Sequence, residues 1–444
     1  MLAGTTTRVN YPHHRGKKAL FLLALLLTAP FAAAQEIKAN PITYRLQLKG
    51  LKPGQTLVLE PGNYTDGLPI TQLNGEGGRP IVITGPPEGR RAIFLGRADN
   101  NTINIEQSSH VVIRNLVLDG QGNSVDAIKA KREGKYAHHI TLENLVIRGH
   151  DAGQSNVGIS TKCPAWGWVV RGNVVEGAGT GMYFGDSDGS APFIGGLIEH
   201  NLVINSKGYN LQVKHQNLRS QLPGMPERTS ATIIRHNVFS KAEGSSSEPN
   251  MARPNVLVGH FPPSGAGSED VYLIYGNVFY QNPSERLLQG EGNVALYNNL
   301  FINRFGDAIS FQRHNALPRK VSIFHNTVLS ADTGIAIHDM DSAHSQRIFA
   351  NVVFATKPLL GGRQEDNVIG KLNDAEEYLI APNGALGEID LSPRPQKMKM
   401  KKNIFEFQDA KLDFNSQPRK RAFPGAYAHE GKNPGWVPHL ERKP

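Results

Sequence analysis

One motif constrains the fold of this chain more than any other feature. It is an asparagine followed by aliphatic or aromatic residues, repeated at intervals of 22 to 40 residues. A unit of this size has too little apolar surface to fold alone, whereas stacked copies bury a continuous core. The motif therefore predicts a repeat protein, with copies beginning at Asn115, Asn144, Asn173, Asn201, Asn237, Asn277, Asn299, Asn326 and Asn351.

The residues within each repeat indicate the type of solenoid. Short β-branched runs bounded by proline or glycine, such as Ile81-Val82-Ile83-Thr84, predict strands. The leucine ladder and helix of leucine-rich repeats are absent from the pattern. We therefore predict an all-β chain folded as a parallel β-helix, in which coils lie about 4.8 Å apart and equivalent side chains form columns. The asparagines should turn inward at a bend and hydrogen-bond to neighbouring coils.

The two ends of the chain differ from the repeats. Pro53-Gly54 and Pro61-Gly62 bound a strand that predicts a first coil and an N-terminal cap. We assign residues 35–362 to the β-helix and 363–444 to a basic extension that packs along or caps the stack, because an open end exposes strand edges. The basic residues of the extension include Lys397, Lys399, Lys401, Lys402, Arg419, Lys420 and Arg421.

Residues 1–34 have the three parts of a secretory signal peptide. Basic residues precede an apolar run from Ala19 to Leu27, and Ala32 and Ala34 offer a cleavage site. The apolar run is too short for a comfortable membrane span. We predict export to the periplasm or the extracellular space, with no stable membrane insertion after the signal is removed. A retained N-terminal anchor is the alternative.

Cysteine and charge content limit the partners. Cys163 is the only cysteine, so no disulfide can form within the chain, and no cysteine cluster predicts zinc. We predict no cofactor and no metal, although scattered carboxylates leave calcium open. The formal net charge of +9 and the predicted export favour an acidic polysaccharide over nucleic acid as the partner. A solvated basic surface is the plainer alternative, and we expect a monomer.

Chemical function should lie where the strands that follow each turn are stacked. Laying these strands over one another brings a charged residue from each strand end roughly into line. Two insertions, at 218–228 and 241–254, interrupt the repeat and either wall a binding cleft or are tolerated drift. The aligned residues, which predict a charged groove, are Lys162, Asp186, Lys214, His260, Glu291, Arg313 and His338.

Such a groove suits cleavage of a uronic acid polymer by β-elimination. The reaction needs a cation to offset the carboxylate, a base to remove the C5 proton and an acid to protonate the departing O4. We predict Lys214 or His215 as the base, Arg313 as the carboxylate partner and His260 as a further catalytic residue. The residues predicted to bind substrate are Lys162, Asp186, Asp188, Glu291, His314 and His338.

Hydrolysis would use a different subset of these residues. Asp186 and Asp188 stand two apart, so on a strand both would point the same way and form an acid and base pair. The run from Gly185 to Gly189 is equally typical of a tight polar turn or of a cation-binding loop. We favour the turn.

A family resemblance accompanies these patterns. The segment from Leu51 to Tyr64, followed by the asparagine repeats, resembles the secreted right-handed parallel β-helix proteins, and among these the chondroitinase B and alginate lyase group. The likeness covers about residues 45 to 355. It implies a right-handed coil, a lyase activity and calcium.

The motifs of that group are matched in part. Ser160-Thr161-Lys162 resembles the Ser-x-Lys strand of the family, but the following coil has Gly185-Asp186 where an arginine would stand. Lys214-His215 resembles the Arg-His-Gly motif with lysine in place of arginine, about two coils further on. Asp186 with Asp188, and Gly259-His260, resemble motifs of the polygalacturonase-like hydrolases.

The function predicted from these features is that of an exported lyase acting on an acidic polysaccharide. A glycoside hydrolase or a uronate epimerase on the same fold is the enzymatic alternative. A non-catalytic carbohydrate-binding or adhesion solenoid is the alternative from another class, because this fold hosts both.

Overall fold

The computed structural model describes residues 35–246, 248–398, 407–419 and 423–444. The predicted signal peptide, residues 1–34, lies outside the described residues. The same holds for Lys399, Lys401, Lys402, Lys420 and Arg421 of the basic extension.

Three long parallel sheets, here named A, B and C, form the body of the molecule. Sheet A consists of Glu36–Ala39, Thr56–Leu59, Ile81–Thr84, Ser108–Arg114, Ala137–Glu143, Ala165–Trp166, Val169–Arg171, Phe193–Ile194, Leu197–Glu199, Ala231–Arg235, Val271–Tyr275, Gly292–Tyr297, Pro318–Phe324, Gln346–Phe349 and Arg363–Glu365. Sheet B consists of Gly62–Tyr64, Ala92–Leu95, Leu116–Asp119, Val146–Arg148, Val174–Glu176, Leu202–Ile204, Val238–Ser240, Val278–Tyr280, Leu300–Asn303, Thr327–Ser330, Val352–Phe354 and Val368–Gly370.

Sheet C consists of Leu68–Thr71, Ile103–Glu106, Ile128–Ala130, Val157–Thr161, Thr180–Phe184, Leu211–Val213, Val256–Val258, Leu288–Gly290, Ile309–Phe311, Thr333–Ile337 and Lys357–Leu360. A separate antiparallel pair joins Leu379–Ala381 to Asp390–Pro393. The α-helices are Tyr44–Lys49 and Ala375–Tyr378, and the 3₁₀ helices are Arg132–Gly134, Pro249–Met251, Leu372–Asp374 and Gln408–Lys411.

The chain order of the strands defines the coil. Each full turn contributes a strand to sheet A, then to sheet B, then to sheet C, as in Ser108–Arg114, Leu116–Asp119 and Ile128–Ala130. Strands of successive coils pair in parallel, so the connections take the right hand that parallel crossovers adopt. The predicted right-handed parallel β-helix is confirmed.

A buried asparagine ladder holds the bend between sheets A and B. The side-chain oxygen of Asn277 accepts hydrogen bonds from the backbone and side-chain nitrogens of Asn237, at 2.9 and 3.0 Å. Asn277 in turn donates from its backbone and side chain to the side-chain oxygen of Asn299, both at 3.0 Å. The pattern continues through the fully buried Asn326 and Asn351. The ladder satisfies polar backbone groups at a place where no strand can do so.

The first two predicted members of the ladder stand elsewhere. Because Val146 pairs with Val174, Leu145 and not Asn144 occupies the column of Asn173. Asn115 and Asn144 lie one position earlier, with φ of +60° and +53°. Asparagine tolerates this left-handed conformation, which explains why the motif looks the same in the sequence although the register differs by one residue.

Apolar side chains fill the interior in columns. Phe279 stacks on Phe301 at 4.3 Å between ring centroids, and Phe239 lies above Phe279 at 5.5 Å. All three are fully buried. At the N-terminal end the helix Tyr44–Lys49 forms the cap, where Tyr44 packs edge-on against Tyr64 at 5.0 Å.

The C-terminal extension packs along the outside of the stack. Leu391, Phe414 and Tyr427 belong to one buried cluster with the outward apolar residues of sheet B, among them Val278 and Leu300. On sheet A, Phe407 packs parallel to Tyr297 at 5.9 Å between ring centroids.

Two arginines fix the course of the extension. Arg419 donates a hydrogen bond to the side-chain oxygen of Asn298 at 2.7 Å, and Arg442 reaches back to the carbonyl oxygen of Gly172 at 2.7 Å. The extension therefore covers parts of sheets A and B over several coils. Within the described residues, no helix is long and apolar enough to span a membrane.

The asparagine ladder yields a first prediction. Asn277→Ala removes the acceptor for Asn237 and leaves buried donors unpaired, so the free energy of unfolding should fall by roughly 3–5 kcal/mol. Asn63→Ala, at an exposed position of sheet B, should change it by less than about 0.5 kcal/mol. Chemical denaturation followed by circular dichroism measures both values. Equal losses in the two variants would show that the ladder adds nothing.

Candidate functional site

A groove of about 780 Å³ lies on the outer face of sheet C. Its floor is one column of outward side chains, Tyr183, Gln212, Leu257 and Gln289, which the strand register places directly above one another. None of the described residues of the C-terminal extension lines it. Side chains from successive coils thus stay accessible on sheet C.

Loops between the strands build one wall of the groove. The second predicted insertion contributes Met251, Ala252, Arg253 and Pro254 to the lining. Gln154, from an earlier coil, donates a hydrogen bond to the carbonyl oxygen of Met251 at 3.1 Å and so ties the insertion to the stack.

The first predicted insertion lies elsewhere. Its residues Arg219 to Glu227 line a different cavity, and Met225 packs in a cluster with Trp166 and Ile194.

Two lysines stand at the opposite edge of the groove. Lys162 follows the strand Val157–Thr161, and Lys214 follows Leu211–Val213 two coils later. The intervening coil has Gly185 at this position, and a Cβ there would lie 3.1 Å from the Cβ of Lys214. Because Gly185 has no side chain, the two lysines share one gap.

The Lys162 side chain is held over an aromatic ring. Its Nζ lies 3.6 Å from the centroid of Tyr183, within the range of a cation–π contact. Burial lowers the pKa of Lys162 to about 8, the nearby Asp186 opposes this, and Lys129 and Lys214 add to it. The amine can therefore lose its proton only slightly above neutral pH.

Lys214 is similar in environment. Burial lowers the pKa of Lys214, partly offset by the charges of Glu291 and Asp186. Lys129 of the groove differs, because it forms an ion pair with Asp126 at 3.0 Å. Within the part of the chain that the structure describes, neither Lys162 nor Lys214 forms an ion pair with a carboxylate, so both are available to a ligand.

Two buried carboxylates, Asp186 and Glu291, hold loops next to the groove. Asp186 pairs with Arg132 and accepts the backbone N–H of Ser187 at 2.8 Å. Glu291 accepts the backbone N–H groups of His314 and, at 3.2 Å, of Ala316. It thereby positions the loop that brings His314 to the groove lining.

The predicted residues fall into two adjacent columns and not into one. Counting from the paired strand ends, one column contains Lys162, Lys214, Glu291 and His338. The next column contains Asp186, His215, His260 and Arg313. Of this second column, His215, His260 and Arg313 do not line the groove, whereas Asp186 lies near enough to both lysines to affect their pKa.

His215 and His260 lie in that second column. The rings of His215 and His260 stack at 5.1 Å between centroids, and Nδ1 of His215 is 3.1 Å from the side-chain nitrogen of Asn315. Burial first, then Lys214 and His260, lower the pKa of His215 to about 4. The imidazole is therefore neutral at physiological pH, but neither histidine lines the groove.

Three further predicted residues, Arg313, His338 and Asp188, also lie outside the groove lining. Arg313 and His338 are exposed at strand ends. Asp188 accepts hydrogen bonds from the backbone and hydroxyl groups of Ser190, at 3.0 and 2.6 Å. Asp186 and Asp188 do not share a strand: the strand ends at Phe184, and the two residues lie in a tight turn, which the sequence analysis favoured.

Several other residues that line the groove were not predicted from the sequence. Tyr183, Gln212 and Gln289 occupy outward strand positions, and Tyr209 and Arg253 precede strands. Alternation within each sheet C strand would have identified the outward glutamines, because every second side chain faces away from the core. The prediction rested instead on the charged residues at the strand ends.

Comparisons with known proteins agree with the fold. No protein-family model matches the chain, and no curated protein matches its sequence. Among solved structures, it is similar to the GH136 lacto-N-biosidase from Eubacterium ramulus, with 11% identity and a TM-score of 0.50 over 76% of this chain and 68% of that one.

Two lyases match less closely in shape. A mannuronic acid specific polysaccharide family 6 lyase from human gut microbiota is 15% identical, with a TM-score of 0.43 over 77% of this chain and 84% of that one. A variant of the family 6 alginate lyase AlyGC is 15% identical, with a TM-score of 0.40 over 72% of this chain and 48% of that one. The chain thus spans about half the length of AlyGC. At such identities the likeness concerns the fold alone, and the chain is a right-handed parallel β-helix repeat protein.

Proposed function

We propose that this protein binds an acidic polysaccharide in the sheet C groove and cleaves it by β-elimination. The observation that carries the proposal is the pair Lys162 and Lys214, which share one gap and form no ion pair with a carboxylate of the described residues. Export of the chain, predicted from residues 1–34, is part of the same proposal, because polymeric substrates of this kind lie outside the cell.

The lining of the groove supports recognition of a sugar chain. Its floor crosses successive coils at a spacing of about 4.8 Å, so an extended polymer can contact several coils at once. Tyr183 and Tyr209 offer aromatic faces, and Gln212 and Gln289 offer amide donors and acceptors. Lys162, Lys214 and Arg253 supply the positive charge that a polyuronate requires.

Each step of β-elimination has a candidate in the groove. Neutral Lys162 takes the C5 proton, and the electron pair of that C–H bond forms the C4=C5 double bond as O4 departs. The Lys214 ammonium offsets the charge that develops on the uronate carboxylate. His314, at the edge of the groove, gives a proton to the departing O4.

The proposed roles differ from those first predicted. Lys162 takes the place of Lys214 or His215 as the base, since its pKa of about 8 leaves a useful fraction of neutral amine near neutral pH. Lys214 takes the place of Arg313 as the carboxylate partner, because Arg313 does not line the groove.

The reaction type is tested by product analysis. The purified chain is incubated with alginate, pectate, glycosaminoglycans and bacterial exopolysaccharides, and we expect ultraviolet absorbance of an unsaturated uronate from one of them. Reducing ends without this absorbance would indicate hydrolysis, and altered uronate composition without cleavage would indicate epimerisation. Binding without any product would indicate a non-catalytic, carbohydrate-binding solenoid.

Lysine variants test the assignment of the site. Lys162→Arg keeps the positive charge but cannot act as a base, so turnover should fall by about 1000-fold or more while polymer binding persists. Lys214→Ala should lower both binding and turnover. Lys357→Ala, at an exposed position of the last sheet C strand, is the matched control and should behave as wild type. Full activity of Lys162→Arg would exclude Lys162 as the base.

The pH profile provides an independent check. The base must be neutral, and the pKa of Lys162 in the free enzyme is about 8. Below that pH the amine is protonated, so kcat/KM should fall as the pH decreases, and because the departing O4 also needs a protonated acid, kcat/KM should fall again at high pH. A profile measured from pH 5 to 10 that shows no loss of kcat/KM on its acid side would contradict this role.

A further inference from the structure

Three histidines lie together on the outer side of sheet A, away from the groove. His110 belongs to one coil, and His138 and His139 belong to the next. One ring nitrogen from each lies within 4.8 Å of those of the other two. Nδ1 of His138 is 2.8 Å from Nδ1 of His139, and the rings of His110 and His139 stack at 4.4 Å between centroids.

The backbone conformation in the column of His110 and His139 favours glycine over histidine. The strand register places His110, His139, Gly167 and Gly195 above one another in four successive coils. Their φ angles are +52°, +51°, +63° and +59°. Glycine adopts this left-handed conformation without steric cost, whereas histidine is strained there. Strain that persists in this way is often associated with function.

Neighbouring residues hold the imidazoles in place. The ring of His138 stacks on Trp166 at 4.4 Å, with an angle of 11° between the planes. A Cβ on Gly167 would lie 2.9 Å from Cδ2 of His139, so the missing side chain makes room for this ring. His139 is thus enclosed between His110 and Gly167, while its edge stays exposed.

The chemistry of the side chains selects the class of ion. Each imidazole ring carries a nitrogen lone pair that can coordinate a metal. Imidazole suits zinc, copper and nickel, whereas calcium and magnesium prefer oxygen ligands.

We propose that His110, His138 and His139 form a binding site for a divalent transition-metal ion of the zinc class, which ties two consecutive coils together. Zinc–nitrogen distances of about 2.0–2.1 Å in a tetrahedron place the ligand nitrogens roughly 3.3 Å apart. The rings of His110 and His139 must therefore turn out of their stacked arrangement for both to reach one ion. The exposed edge of His139 leaves the fourth position to water.

This site was not predicted from the sequence. Its ligands are contributed by two different coils, and their spacing of 28 and 1 residues matches no local zinc pattern. The proposal does not depend on the activity of the groove, because none of the three histidines lines it.

Metal titration tests the proposal directly. The full chain, purified without a polyhistidine tag and treated with a chelator, is titrated with Zn²⁺ by calorimetry and with Co²⁺ by absorption spectroscopy. We expect one ion per chain, a visible Co²⁺ spectrum of tetrahedral type, and a Tm that rises with Zn²⁺ but not with Ca²⁺. Absence of stoichiometric binding would overturn the site.

The neighbouring coils suggest the best variant. His139→Gly copies Gly167 and Gly195, so the metal-free protein should fold with its Tm preserved or raised, while the affinity for Zn²⁺ falls about 100-fold or more. His110→Gln provides a second variant with the same expected loss. His344→Ala, a histidine near Asp341 in another coil, should bind as wild type. Unchanged Zn²⁺ affinity in His139→Gly or His110→Gln would refute the proposal.

Discussion

The structure depends on the pairing of each coil with the next. A single coil leaves the N–H and C=O groups of its strands unpaired, and only another coil in parallel register satisfies them. The asparagine ladder extends the same principle to the bend between sheets A and B, where Asn237, Asn277 and Asn299 bond as the strands do. Since each coil fixes the register of its neighbour, equivalent side chains form columns. Both candidate sites consist of side chains that this stacking brings together from different coils.

The C-terminal extension determines which columns remain accessible. It buries outward apolar residues of sheet B, such as Val278 and Leu300, and packs on Tyr297 of sheet A. Sheet C keeps its outward polar residues in a groove that the insertion around Arg253 walls on one side. The position of the groove thus follows from packing elsewhere on the molecule.

A glycine in the column makes room for chemistry at both sites. Gly185 separates Lys162 from Lys214 and lets the two lysines share a gap, and Gly167 accommodates the ring of His139. At the groove, burial also lowers the pKa of Lys162 to about 8. A neutral amine is a base, so partial burial between coils prepares Lys162 for the proposed reaction.

The sequence by itself determined the class of fold, because an asparagine and aliphatic pattern with a period of this length can bury its apolar face only by stacking. It also placed Lys162, Lys214 and His314 among the candidates that line the groove. Only the tertiary structure decided the exact register. Turn lengths vary between coils, and a shift of one residue places Arg313 and His260 in the column next to that of the lysines, and Asn144 outside the ladder. The histidine cluster depended on the same register, since His110 meets His139 only when their coils are stacked.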